Sequence, residues 1–327
     1  MKRTRVCDLL GIQYPIIQAP MLWITWAELV AAVSKAGGLG TLGVNSGATA
    51  PTKDPDVLGE RLRAQIRRVR SLTDKPFAVN VIVPMRGDDV YSNKFVEVMV
   101  QEKVPVAASG GNNPRLYTER LKKAGIKVLY RPINPTVQAA KEAEQAGADA
   151  VVIVGSDAGG HLGLEMLSAL VLVPPIVDAV KIPVIAGGGI ADARGIVAAF
   201  ALGAEGVYMG TRFIATKECQ AHPNFKQAIM EATETSTVTF RVPNSILRCM
   251  KNPVAQQALD MQAKGVPMSE IERKVFAGKA KAILLDGDLA NGLGTFSPSA
   301  GLIEDIPSAE ELVKGLVKGY ERVKAYL

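Results

Sequence analysis

The sequence predicts an α/β fold, a (β/α)8 TIM barrel carrying a smaller, mostly helical C-terminal lid, and three observations lead there. Eight short β-branched or small apolar runs punctuate the first 215 residues. Each is followed by glycine or polar residues and then by a stretch in which apolar residues return every three or four positions. Beyond residue 215 that alternation stops, and helical periodicity and a glycine-rich loop take over. Parallel strands need crossover connections, and eight right-handed crossovers in succession close a sheet into a barrel. A doubly wound open sheet is the alternative that the same alternation permits.

The strand candidates, in order, are PIIQ (15–18), LGTLG (39–43), FAVNV (77–81), VPVAAS (104–109), KVLYR (127–131), AVVIV (150–154), PVIAG (183–187) and GVYMG (206–210). Between them, segments such as TWAELVAAVSKAG, NPRLYTERLKKAG, NPTVQAAKEAEQAG and DARGIVAAFALGA carry an apolar stripe and a glycine after the last turn. Residues 1–215 are thus assigned to the barrel and 216–300 to a substrate-binding lid, helical in pattern. The final segment, SAEELVKGLVKGYERVKAYL, opens with a Ser-x-x-Glu helix start and packs back on the barrel, so 301–327 joins the first domain.

Composition removes several function classes. A chain of 327 residues with 48% hydrophobic content can bury an enzyme-sized core. Its longest apolar runs fall short of the roughly 20 residues of a membrane span. The basic start MKRTRVCDLL is interrupted by Asp8 and Pro15 and lacks a small-residue cleavage site, which predicts an unprocessed cytoplasmic protein. Cys7, Cys219 and Cys249 are odd in number and widely spaced, so neither a disulfide framework nor a metal site is expected. The net charge is +6. The densest basic run, RLRAQIRRVR (61–70), spreads its arginines around a helix whose Leu62, Ile66 and Val69 face inward, and no aromatics interleave it. That is a solvated helix face, not a nucleic-acid surface.

In such barrels the chemistry sits on loops after the C-terminal strand ends. The loop after the sixth run reads GSDAGGHLG and holds His161, one of two histidines in the chain. His222, in CQAHPNF, lies where the lid begins and reads as a capping residue. The seventh and eighth runs lead into AGGGIADARG and MGTRF, where Gly187, Gly188, Gly189 and Gly210 allow backbone N–H groups close to an anion. The helix starting near Asp192 is expected to add a dipole end, Thr211 a hydroxyl and Arg212 a charge. The sum is a phosphorylated ligand on one side of the mouth and a histidine beside it.

At this point PIIQAPM, AGGLG, LTDKPFAVNV, SDAGGHLG, PVIAGGGIADARGI and MGTRF together resemble the nitronate monooxygenase family, which also takes in FMN-dependent NADH:quinone reductases and type II enoyl-acyl carrier protein reductases. The resemblance covers nearly the whole barrel in the right order. It implies that the phosphate is that of FMN, with NADH or NADPH as co-substrate in the reductase branch. By position it puts Ala19, Pro20 and Met21 beside the flavin ring and Asn80 near its polar edge. Gly160, Gly187, Gly188, Gly189, Gly210 and Thr211 become cofactor contacts, and His161 the catalytic acid or base over the flavin. Trp23 and Phe296 are candidates for a substrate surface. The expected activity is oxidation of nitronates or nitroalkanes with O2, the alternative an NAD(P)H-dependent reduction of a quinone or enoyl thioester. Leu162 stands where an arginine often follows the histidine in the monooxygenases. A flavin-free phosphate-binding isomerase would need a catalytic lysine or paired carboxylates at strand ends, which are lacking. A small-molecule substrate is expected, and a homodimer is left open.

Overall fold

A computed structural model describes residues 1–84 and 89–327. The eight expected runs all form strands of one sheet: β1 (Ile16–Gln18), β2 (Gly40–Leu42), β3 (Phe77–Ile82), β4 (Val106–Gly111), β5 (Lys127–Pro132) and β6 (Ala150–Val154), then, beyond a short extra strand β7 (Gly160–Leu162), β8 (Val184–Gly187) and β9 (Gly206–Met209). Neighbours run in the order β1-β9-β8-β6-β5-β4-β3-β2, every pairing parallel. The ends of that order meet between β1 and β2. There Gln18 N–H donates to the Leu39 carbonyl at 2.9 Å and Leu39 N–H to the Ile16 carbonyl at 2.9 Å. The fully buried Gln18 side chain extends this short seam, its Oε1 accepting from Thr41 N–H at 2.8 Å and its Nε2 donating to the Thr41 carbonyl at 3.3 Å. An amide side chain thereby stands in for a missing stretch of ladder.

Side-chain alternation divides the strands into two apolar layers. Ile17, Ala78, Ala108, Leu129, Val152, Ile185 and Tyr208 share one cluster with Val6, Cys7 and Leu10 of helix Arg5–Leu10, which closes the N-terminal end of the barrel. The residues between them, such as Val79, Val128, Ile153 and Val207, pack outward against the helices. Asn80 and Arg131 lie two positions beyond Ala78 and Leu129 and so continue the inward series at the C-terminal end.

The arginine-rich helix spans Pro55–Leu72, buries Leu62, Ile66 and Val69, and caps with Asp54. Arg63, Arg67 and Arg70 converge on Glu102 of the next unit, and Arg68 pairs with Glu28. Its charge is therefore largely spent within the protein. All three cysteines are buried and free. Among the described residues no helix is long and apolar enough to cross a membrane.

Segment 216–300 contains short helices, but also a hairpin that the helical reading of this region lacks. Strands β10 (Thr237–Val242) and β11 (Ser245–Met250) pair antiparallel across Pro243 and Asn244, and Asn244 takes the positive φ of 58° that such a turn needs. The runs TVTFRV and SILRCM alternate with period two, a pattern hidden among helical neighbours. The hairpin then adds β7 as a third strand, in the order β10-β11-β7. The last helix, Ala309–Lys324, carries a full capping box from Ser308 and Glu311 and lays Tyr320 edge-on against Phe200 of the barrel helix Ala193–Ala201, ring centroids 5.6 Å apart.

Gln18 gives a direct test of how the seam closes. Gln18→Leu leaves the buried N–H and carbonyl of Thr41 without these partners and should cost about 1–3 kcal/mol in urea unfolding; an unchanged midpoint would show that the two backbone bonds suffice.

Candidate functional site at the barrel mouth

The loop after β6 is held by close backbone contacts that explain its glycines. A Cβ on Gly155 would lie 2.2 Å from the Ala169 nitrogen, and one on Gly159 would lie 2.4 Å from the Phe296 carbonyl carbon. Gly160 needs its freedom for a different reason, a φ of 79°. The chain then turns into β7, where Gly160, His161 and Leu162 pair with Arg248, Leu247 and Ile246 of β11. The end of this glycine-rich loop is thus the edge strand of a sheet.

Alternation on β7 sends Leu162 into the barrel cluster, with Ile246, and leaves the His161 side chain on the face shared with Leu247 and Ser245. His161 Nδ1 lies 2.9 Å from Ser245 Oγ, a diagonal cross-strand pair. A hydroxyl can donate to Nδ1 or accept from it, so Ser245 supports either tautomer. The Arg131 guanidinium donates to the His161 carbonyl at 2.6 Å. The imidazole is open to solvent on one side, yet protein surrounds it on the others. That surrounding protein, and then the Arg131 cation, lower its pKa from the ordinary 6.5. At neutral pH it is an uncharged base.

Tyr208 stands inside the barrel rim at 9% exposure. Burial raises its pKa well above the usual phenol range, against the pull of Arg131, so it remains a protonated donor. Arg131 and Tyr208 escaped the sequence reading, although an arginine at the end of KVLYR and a tyrosine in GVYMG both follow the period-two inward series.

The anion cradle forms beside this group. Gly188 and Gly189 take φ of 96° and 71°, and a Cβ on Gly188 would come within 2.9 Å of the Gly155 carbonyl oxygen. Gly187 is similarly confined, 3.0 Å from the Tyr208 carbonyl oxygen. Gly210 differs: a Cβ there would meet only Ala19 Cβ and Met21 Sδ, both at 3.8 Å. Protein packing does not demand glycine at that point, and a side chain would instead project toward the Ala19–Met21 segment. Among the described residues none accepts a hydrogen bond from the N–H groups of Gly188, Gly189, Gly210 or Thr211. Thr211 Oγ1 accepts from Ser297 N–H at 2.9 Å, which keeps its own proton free to donate outward. These donors fit a phosphate.

Two expected contributors lie elsewhere. Arg212 is buried with its guanidinium turned to the Ala215 and Asp305 carbonyls and the Asp305 carboxylate at 3.0 Å, so it anchors the C-terminal segment. Helix Ala193–Ala201 does start at Asp192, but the Asp192 carboxylate itself accepts from the N–H groups of Arg194 and Gly195 and thereby occupies the dipole end.

The remaining candidates are placed as follows. Ala19 N–H donates to the Met209 carbonyl at 2.9 Å, which sets Ala19, Pro20 and Met21 on the rim beside β9. Asn80 Nδ2 donates to the Ala108 carbonyl at 2.8 Å, so its Oδ1 remains an acceptor. Trp23 and Phe296 are 8% and 2% exposed. Both rings lie in the main core, Phe296 tilted against Phe225 with centroids 6.2 Å apart, so neither lies on an open surface. The physical reason is that the 295–297 backbone, not its ring, covers Gly159. His222 Nδ1 accepts from Asn224 N–H at 3.1 Å and caps the helix Pro223–Met230.

Comparison with known proteins identifies the family and the fold. A family model described as nitronate monooxygenase matches residues 3–319. A probable nitronate monooxygenase of Staphylococcus aureus is 34% identical, covering 88% of each chain. A (3aS,4S,5R,7aS)-5-hydroxy-7a-methyl-1-oxo-octahydro-1H-indene-4-carboxyl-CoA dehydrogenase of Mycobacterium tuberculosis is 32% identical over 96% of this chain and 95% of its own. The structure of FabK from Thermotoga maritima superposes with a TM-score of 0.89 at 38% identity over the whole of both chains. A nitroalkane oxidase from Streptomyces ansochromogenes does so at 0.82, with 26% identity and coverage of 98% and 99%. With its eight-stranded barrel and the match over residues 3–319, the chain is an oxidoreductase belonging to the nitronate monooxygenase family.

Proposed function

We propose that the protein is an FMN-dependent nitronate monooxygenase, oxidising nitronates or nitroalkanes with O2. The observation that supports this most is His161 itself: an uncharged imidazole held by Ser245 on a rigid strand, next to the Arg131 cation at the mouth. Such a base accepts a proton from the carbon next to a nitro group, and the adjacent positive charge favours the anion that results. The N–H groups of Gly188, Gly189, Gly210 and Thr211 would hold the FMN phosphate, and the Ala19–Met21 rim and Asn80 would border the ring. The bound flavin would supply the redox chemistry, with oxygen completing the oxidation. The protein's own work is to place the anion, hold His161 neutral and keep its proton path short.

A second reading has its own support. The full-length superposition on FabK and the likeness to a CoA dehydrogenase favour a reductase or dehydrogenase acting on a thioester, with NADH or NADPH as co-substrate. In that reading His161 would donate a proton to the substrate being reduced. Both readings place the same residue at the chemistry.

Three outcomes test the proposal. His161→Ala should keep its flavin yet lose roughly 100-fold or more in nitronate turnover, as expected for a missing acid or base; full activity would remove His161 from the mechanism. In the intact enzyme, kcat/KM with a neutral nitroalkane should fall as pH drops through a value below 6.5, because protonation removes the base. A midpoint above 6.5 would contradict the environment described. The cradle is tested by a glycine pair. Gly210→Ala should unfold like the native protein but purify with less FMN, whereas Gly188→Ala, at φ 96°, should lose about 1–2 kcal/mol of stability as well. Full FMN content in Gly210→Ala would place the cofactor elsewhere.

A further inference from the structure

Arg131 is unusual among the arginines that the protein encloses. Arg212 has Asp305, Arg63 has Glu102, and Arg248 has Asp157 as an electrostatic neighbour. Arg131, half-buried at the inward end of β5, forms no ion pair with any described carboxylate; it donates to the His161 carbonyl and has Tyr208 as an electrostatic neighbour. Drawing a cation into a protein without a counter-charge is costly, and such groups persist where an anion completes them. One nitrogen serves the His161 carbonyl, and the remaining donors of the guanidinium fork are left for a ligand.

Tyr208 supplies a second donor. It lies on β9, separated from β5 by β8 and β6 around the wall, and its hydroxyl has no hydrogen-bond partner among the described residues. Gly110, inward on β4 beside Arg131, adds no side chain to crowd the fork; a Cβ there would approach only the Arg131 carbonyl oxygen at 3.7 Å and Arg131 Cβ at 3.9 Å. A cation and a protonated phenol thus face one another electrostatically above an otherwise apolar barrel interior, and the cation holds the backbone of the neutral base.

We propose that Arg131 and Tyr208 form an oxyanion site that binds the charged oxygen of the substrate, selecting small planar oxyanions such as nitronates. The naming of nitronate rests on the activity proposed above; the site itself does not. Its fork geometry suits a two-oxygen anion, –NO2 of a nitronate or –CO2 of a carboxylate. In a thioester substrate the same donors would face the enolate oxygen.

A non-reacting probe separates the two claims. Propionate carries a planar two-oxygen anion and no oxidisable nitro carbon, so its binding to the purified flavoprotein reports the site without turnover. Calorimetric titration at fixed ionic strength should show propionate binding and much weaker binding of neutral propionamide. Arg131→Met should weaken propionate roughly 10–100-fold, the range for a lost charge-assisted hydrogen bond. Tyr208→Phe should weaken it by a smaller factor, and Arg131→Lys, which keeps charge but not the fork, should fall between. Flavin content and the thermal midpoint check that each variant is folded. In Arg131→Met the acid limb of the pH profile should also move to higher pH, since the cation that lowers the His161 pKa is gone. Equal propionate binding in native protein and Arg131→Met, or absence of binding in the native protein, would overturn the site. Loss of FMN in Arg131→Met with propionate affinity retained would assign Arg131 to the cofactor instead. Propionate binding without nitronate turnover would leave the site standing and overturn the monooxygenase reading.

Discussion

The pairing of β7 with β11 is the constraint on which the rest of the site depends. Three residues after a run of glycines cannot hold a conformation alone, because so short a strand gains few hydrogen bonds against the backbone entropy it loses. The hairpin brings its partner strand from 84 residues further along, and Ser245 meets His161 across it. From the other sides, Arg131 grips the His161 carbonyl and the 295–297 segment lies against Gly159. A loop made of the most permissive residue is thereby fixed by backbone on nearly every side. Residues of the 216–300 segment thus position the histidine.

Polarity is distributed along the barrel axis. The interior from Val6 to Ile185 is apolar and filled, so charge can matter only at the C-terminal rim, where protein shields it from bulk water. There the N–H groups of the cradle, the Arg131 cation and the Tyr208 hydroxyl present positive character, the Asp157 carboxylate beside Gly189 has Arg248 as its electrostatic neighbour, and the His161 imidazole is held neutral. In the proposed reading two anionic moieties, a phosphate and a charged substrate oxygen, would find complementary walls on one rim. The modest positive balance of the whole chain is secondary, since surface arginines such as Arg63, Arg67 and Arg70 are engaged with Glu102.

Local sequence revealed what depends on local physics. All eight barrel strands followed from period and punctuation, and the cradle glycines from their place after the seventh and eighth runs. The hairpin was missed because two six-residue strands sat between helical segments, and because β7 becomes a strand only through a partner remote in sequence. Arg212 and Asp192 were misread for a related reason: residue type showed a charge near the mouth, but only tertiary contacts show that Asp305 claims the one and a helix start the other. Trp23 and Phe296 fall at the mouth in sequence while their rings turn into the core. Arg131 and Tyr208 were legible in principle, as polar residues at the inward ends of otherwise apolar strands.

In the proposed reading, what reduces the flavin decides the reaction. Anaerobic mixing of the purified protein with a nitronate, NADH and NADPH in turn, followed by flavin absorbance, puts the question to the intact site. Bleaching by the nitronate, with neither nicotinamide able to replace it, is the result expected of an anion-binding rim served by a neutral histidine. Rapid bleaching by NADH or NADPH with no response to the nitronate would contradict it and assign the same residues to a reductase.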